Sequence, residues 1–559
     1  MRGSWNLILP ALALSAIILT PVGFLIFGVF WSASPGLEGR FTLDNVEKGL
    51  NLGQNAGLLS NTFIFSIGST VLAVSIGVAL SFLLQRTNTP GRGVFDAIVL
   101  IQFVFPSFLG DIAWIFLLSP RIGLLNAWLM NAFGLQSPPF DIYTQGGMIW
   151  SQGIALAALA YLLIHPAFLN MDPAFEEAAR ISGASVGKSM RQITLPILYP
   201  SILTSSLFLF MISLASFETP TFIGLPGGIR VYMNAIHEST DLKVPAQYGV
   251  ATAQAIVILA IMLAVLLFYL RTTRRLSKYV AITGKGYRPG TLRLGKWRYA
   301  AFMGVAGYAT LAIFLPFALM VFVSFVPFYT ATQDITKDLS LNNYAEVLSN
   351  DLMVSAAINT TFIAIAAAVV TTLAGAFLSY MALRSKVRGK RVFEAIGTLP
   401  LGFPGLVFGL ALLWTFLSIP FLREYIYGTP WALVIAYLVI YLPLSMRSLS
   451  NTMIQIHSEL EEAGQMAGAT WVRTFRSITL PLMRPALINA LILVLINSYR
   501  ELGTAVILSG PGMFVLPVLI LYFWRIGWIP QVAAATVLYG GSMMAVLLLA
   551  RLLLRSKVR

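Results

Sequence analysis

Residues 176–200 read EEAARISGASVGKSMRQITLPILYP, and residues 461–485 read EEAGQMAGATWVRTFRSITLPLMRP. At an offset of 285 the two stretches agree at 11 of 25 positions. In each, a pair of acids opens a short run that tolerates alanine, and Gly183 or Gly468 closes it. After nine further residues comes Ile-Thr-Leu-Pro. Acids near a helix N-terminus suit its dipole. Glycine suits the positive-φ position that ends a helix. Each stretch therefore predicts a small helix, a sharp stop and a second amphipathic segment that closes at proline. Such an elbow, held between longer segments, is a rigid knob that a partner can approach closely.

The repetition extends outward from the elbows. At an offset of 298, Asn45, Asn61-Thr62, Arg86, Gly91 and Phe105-Pro106 recur as Asn343, Asn359-Thr360, Arg384, Gly389 and Phe403-Pro404. The fall from 298 to 285 implies a net deletion of 13 residues, expected in the connection at 418–431. The chain of 559 residues is 57% hydrophobic and only 11% charged. Soluble chains carry about 25% charged residues, so lipid is the expected solvent. A membrane span needs about 20 mostly apolar residues. Twelve stretches qualify, at 7–31, 61–84, 97–118, 147–169, 201–217 and 247–270, then 299–328, 359–383, 395–417, 432–450, 486–508 and 532–554. Pro106 and Pro404 predict breaks in the third and ninth.

Charge sets the expected orientation. With the N-terminus inside, 28 of the 37 basic residues fall on the inner side and 14 of the 22 acids on the outer side. That is the positive-inside pattern. Residues 271–298 hold nine basic residues and no acid, and read as a topology anchor near anionic headgroups rather than a nucleic-acid site. The expected fold is all-α: a first six-span repeat at 1–270, a basic cytoplasmic linker at 271–298 and a second repeat at 299–559. Even span counts make the repeats parallel, related by a pseudo-twofold along the membrane normal. Both termini are expected in the cytoplasm. The first apolar run is longer than a signal-peptide core and lacks a small-residue cleavage site, so it reads as a retained span.

Ionisable groups at membrane depth are costly and are functional candidates by default. Asp111, Glu218 and Glu501 qualify, the last two at near-equivalent places in the repeats. They either line a path for a cation or serve as solvated ends and packing pairs. Arg500 stands beside Glu501 and is expected to pair with it. Tyr499, Tyr522 and Trp524 read as interface aromatics, and His165 as a packed polar residue. His165, His237 and His457 make no metal-ligand spacing, and there is no cysteine. No nucleophile–base pair is visible, so the chain does not read as an enzyme. Gly290 to Lys296 imitates a phosphate loop, but Trp297 replaces the Ser or Thr that would bind magnesium.

The paired elbows resemble the EAA loop of the permease subunits of binding-protein-dependent ABC importers. The first copy fits that pattern fully; the second departs at Gly464, where alanine is usual. The resemblance implies a type I importer permease in the bacterial inner membrane. It implies that Glu176, Glu177, Ala178, Ala179 and Gly183, with Glu461, Glu462, Ala463 and Gly468, form two coupling loops. Two copies of a separate ATPase, holding ATP and magnesium, would dock on them, and a separate binding protein would dock outside. This chain itself would bind no cofactor. Arg121 to Asn126 and Leu399 to Gly405 resemble the fused permeases of the ferric-iron branch. Thiamine, polyamine and phosphonate permeases share similar framework residues, so those substrates stay open. A twelve-span secondary transporter is the alternative, although Gln85 to Val94 lacks its acid-plus-basic loop signature.

Overall fold

In lipid a backbone must satisfy its own polar groups, so apolar runs of this length fold as helices. A computed structural model describes residues 2–172, 174–276, 291–329, 339–385, 387, 389–510 and 512–555. Among the described residues, ten helices are long and apolar enough to cross a membrane, and two bent pairs raise the number to twelve. The spans of the first half are Ile8–Val29, Asn55–Arg86, Arg92–Val104 with Ser107–Leu118, Gln145–Asn170, Gly187–Leu214 and Tyr248–Thr273. Those of the second are Trp297–Ser324, Asp351–Arg384, Lys390–Gly402 with Gly405–Ser418, Pro430–Gln455, Arg476–Tyr499 and Ile529–Val546. We number them 1 to 12. The connection between spans 3 and 4 carries a helix, Leu124–Phe133; the shorter one between spans 9 and 10 carries only Pro420–Tyr425. Within the linker expected at 271–298, residues 277–290 lie outside the described residues, as do both chain ends.

The two broken spans follow from their prolines. Proline disfavours helical backbone in the residue before it and removes an amide donor. Phe105 takes ψ 138° and Phe403 ψ 120°, and new helices start at Ser107 and Gly405. Span 3 bends by 98° and span 9 by 113°.

Small residues set the closest helix crossings. A Cβ on Gly77 would come 2.6 Å from Ala160 Cβ, so spans 2 and 4 touch backbone to backbone. Gly375 meets Ser445 in the same way between spans 8 and 10. Tight approach at small residues is how helices pack without a hydrophobic driving force.

The halves are clasped. Span 1 packs on span 6 of its own half and on the second segment of span 9 from the other half. There the fully buried Trp414 fills the space that a side chain at Gly28 would need, and its Nε1–H donates to Thr252 Oγ1 at 2.9 Å. Span 7 returns the exchange against span 3. Tyr329, just beyond span 7, packs its ring at a tilt on Phe116 at 4.8 Å and donates to the carbonyls of Phe116 and Ile122. Asn45 Nδ2 bonds the carbonyls of Val29 and Trp31 at the end of span 1, and Asn343 does the same for Ser324 and Val326 at the end of span 7.

Candidate functional site

Both elbows lie at the ends of spans 4 and 10. The first small helix is Ala174–Ile181 and the second Ser458–Met466. Each stops at a left-handed glycine, Gly183 at φ +83° and Gly468 at φ +82°. The stop is the same Schellman pattern in both: Ala184 N–H reaches Ala179 C=O, and Ala469 N–H reaches Gly464 C=O. A Cβ at either glycine would meet nothing within 4 Å, so the need for glycine is conformational. Gly464 has its own reason. A Cβ there would come 2.9 Å from Ile478 Cδ1, so the missing methyl makes room for the second elbow's Ile478.

The first glutamate of each pair is an anchor. Glu176 is buried; its Oε2 accepts from Arg86 Nη2 at 2.6 Å and its Oε1 from Thr194 Oγ1 at 2.7 Å. Arg86 is fully buried at the end of span 2 and also donates to Met171 C=O. In the second half Thr479 donates to Glu461 Oε1 at 2.9 Å, and Arg384 Nε lies 3.8 Å from the same carboxylate. Arg384 spends its hydrogen bonds on the carbonyls of Met453 and Ile456. Each elbow, at the end of span 4 or 10, is thereby pinned to the end of span 2 or 8. The sequence showed Arg86/Arg384 and Thr194/Thr479 as repeated pairs, but not that they converge on one carboxylate.

The next residues face outward. Glu177 and Ala178 are exposed, as are Glu462 and Ala463. So are large apolar side chains: Ile181 and Met466 are each 89% exposed, at positions 285 apart, flanked by Phe175 and Leu460. The two knobs therefore present the same pair of exposed apolar positions.

Between the halves lies a cavity of about 450 Å³. It sits at the two span breaks, walled by Pro106 and Pro404, with Gln152, Glu218, Tyr441, Arg500 and Glu501 among its polar lining. The carboxylates occupy related places. Glu218 lies at the backbone N–H of Phe108, in the first turn of the segment after the span 3 break. Glu501 Oε1 lies beside Gly405, the first residue after the span 9 break. Anions at helix N-termini satisfy unpaired amides and the dipole. Glu501 also accepts from Tyr441 at 2.8 Å and from Thr504 N–H and Oγ1 at 2.9 Å. Asp111 stands behind the wall, buried, with Ser151 donating at 2.6 Å and Thr219 at 3.0 Å. Asp111 is thus buried, whereas Glu218 and Glu501 are half-buried and face the cavity.

Some expectations are corrected. Arg500 does not pair with Glu501. Its guanidinium donates to Phe103 C=O at 2.8 Å and Asn497 Oδ1 at 2.9 Å, and it lies over the Phe103 ring. Its direction follows the backbone: residue 500 ends span 11 and points back along it, whereas Glu501 turns onto Thr504. Tyr499 is not an interface aromatic; it is buried and stacked on Tyr539. Trp524 packs on Phe116 and Phe222, and only Tyr522 of the three is exposed. His165 does stack on Tyr161.

The family described as "Binding-protein-dependent transport system inner membrane component" matches residues 72–278 and again 372–559. The chain belongs to this family. Each match holds one elbow, so the permease carries the family's unit twice in one chain. The ferric transport system permease protein FbpB of Actinobacillus pleuropneumoniae is 26% identical, over 84% of this permease and 67% of that protein. The Fe(3+)-transport system permease protein FbpB 2 of Haemophilus influenzae is 24% identical over 86% of both chains. A Salmonella typhi protein named for 2-aminoethylphosphonate transport, PhnU, is 27% identical over 42% of this permease and 81% of that protein.

Proposed function

We propose that this permease is the membrane subunit of a ferric-iron importer, driven by two copies of a separate ATPase and supplied by a separate binding protein. The observation that carries the ATPase reading is the pair of pinned elbows, each ending in an exposed apolar residue, Ile181 or Met466. Two equivalent knobs suit two equivalent grooves. The basic residues, dense in the linker and around the elbows, favour the cytoplasm for that face, with both chain ends and 271–298 on the same side. ATP and magnesium then belong to the partner, and this chain supplies the path and the levers.

Iron is favoured over a phosphonate because relatives named for ferric transport align along 84–86% of the chain, whereas the phosphonate relative aligns along 42% of it. Two carboxylates, Glu218 and Glu501, share the cavity wall with one basic side chain, Arg500, and that excess of acid supports a cation. The elbow reading is tested by Ile181→Asp with Met466→Asp. Both side chains are exposed, so the melting temperature of the permease should hold, while ATPase co-purification and uptake of radiolabelled iron should fall to background. Retained co-purification would refute the docking. Uptake of a labelled phosphonate but not iron by the parental system would refute the substrate.

A further inference from the structure

On the face opposite the elbows, the halves meet through charge. The helix Tyr232–His237 of the first half and the helix Leu516–Arg525 of the second sit in equivalent places. Thr62 Oγ1 accepts the N–H of Tyr232 at 3.1 Å, and Thr360 Oγ1 that of Leu516 at 2.8 Å. Their ends touch. Arg525 Nη2 donates to His237 Nε2 at 2.6 Å, and Arg525 Nη1 lies 3.1 Å from Asp241 Oδ2. Arginine cannot accept, so this contact calls for a neutral His237 whose Nε2 accepts, with Nδ1 buried and unpartnered. Among the ion pairs of the described residues, Arg525–Asp241 is the one that joins the two halves.

Beneath this bridge is a layer of rings. Phe222 stacks on Phe108 at 6.0 Å and meets Trp524 at 5.9 Å, again across the halves. Phe217 meets the His237 ring at 5.1 Å and also lines the central cavity. The order along the axis is therefore ion pair, rings, cavity.

We propose that Arg525, His237 and Asp241, with the Phe222–Trp524 contact beneath them, form a latch that closes the cavity on the face opposite the elbows. It rests on the importer reading, in which substrate enters through that face. The contrast with the elbow pin supports a contact built to part. The Arg86–Glu176 pair is 0% and 3% exposed, whereas Arg525 and Asp241 are 30% and 51% exposed. Solvated pairs are weak and re-form readily. The buried member of the latch is a neutral ring, which leaves no charge stranded when Arg525 withdraws.

The absence of cysteine allows a single reporter, Ser216→Cys, on the cavity wall. The reporter permease, assembled with its ATPase in proteoliposomes, is labelled by a membrane-impermeant maleimide from the latch face. Adding Arg525→Gln should speed labelling about five-fold, and Asp241→Asn by a smaller factor. The exchanged pair Arg525→Asp with Asp241→Arg should return the rate to within two-fold of the parent. Asp241 is half-exposed, so its variant keeps the test alive if Arg525→Gln fails to insert. Unchanged rates in both single variants overturn the latch. Iron uptake by the parental system, measured in parallel, is the separate test of the importer reading. Its absence there would sink that reading, whereas unchanged labelling sinks only the latch.

Discussion

Arg86 is charged, fully buried and bonded on two sides, so its worth lies in what it holds. Removing one partner of a buried ion pair leaves the other stranded and costs about 3–5 kcal/mol. Arg86→Met should therefore lower the melting temperature sharply, with Glu176 left against Thr194 alone. Arg384→Met should cost less, because its carboxylate is 3.8 Å away and both side chains reach solvent. Equal losses in thermal melts would contradict the difference seen between the elbows. His237 carries a second residue-level expectation. Burial first, and the nearby Arg525 second, push its pKa down to about 4, against a weaker upward pull from Asp241. The folded state then refuses a proton that the unfolded state takes below about 6.5. The contribution of neutral His237 is complete above that value and is lost as pH falls toward 4. Melting temperatures of the parent and His237→Gln should run parallel above pH 6.5 and converge below it; curves parallel throughout would exclude the effect.

At the scale of elements, glycines act in two different ways. Gly183 and Gly468 are needed for a left-handed turn in open space. Alanine there should cost about 1 kcal/mol each through backbone strain, with no clash. Gly77 and Gly375 are needed for contact, since any side chain would strike Ala160 or Ser445 on the facing span. Gly77→Leu or Gly375→Leu should prise spans apart and reduce the amount of folded permease on size exclusion, whereas Gly183→Ala should not. Equal loss in both classes would mean that the crossings tolerate repacking. The spans and their breaks were legible because apolar length and Phe-Pro leave few choices to a backbone in lipid. The elbows were legible because they recur with identical spacing. The partners of Arg500 were not, because which way a side chain leaves a helix end depends on the neighbouring span. Tyr499 failed for a related reason: an aromatic at a span end looks the same in sequence whether lipid or Tyr539 covers it.

The whole molecule is one permease because each half holds a span of the other. Span 1 closes over Trp414, and the end of span 7 over Phe116, so the covalent linker is not the sole tie between the halves. The repeated sequence announced two halves, but nothing in it announced the exchange, since Gly28 and Trp414 lie 386 residues apart. The linker does more than join. Its far end lies against the residues that follow span 2: Leu292 N–H donates to Arg86 C=O at 2.8 Å, and Leu294 N–H to Asn88 Oδ1 at 2.9 Å. Arg86 thus stands between the linker and the first elbow, and the second elbow has no matching strap among the described residues. If the exchanged spans hold the halves, a protease site inserted between residues 277 and 290 can be cut without separating them. The two fragments should co-purify in mild detergent and melt within a few degrees of the intact chain. Adding Gly28→Leu should drive the Trp414 ring out of its seat, and the cut fragments should then co-purify less well and melt lower than the cut parent. Fragments that separate without that substitution would show that the linker, and not the clasp, keeps the two halves together.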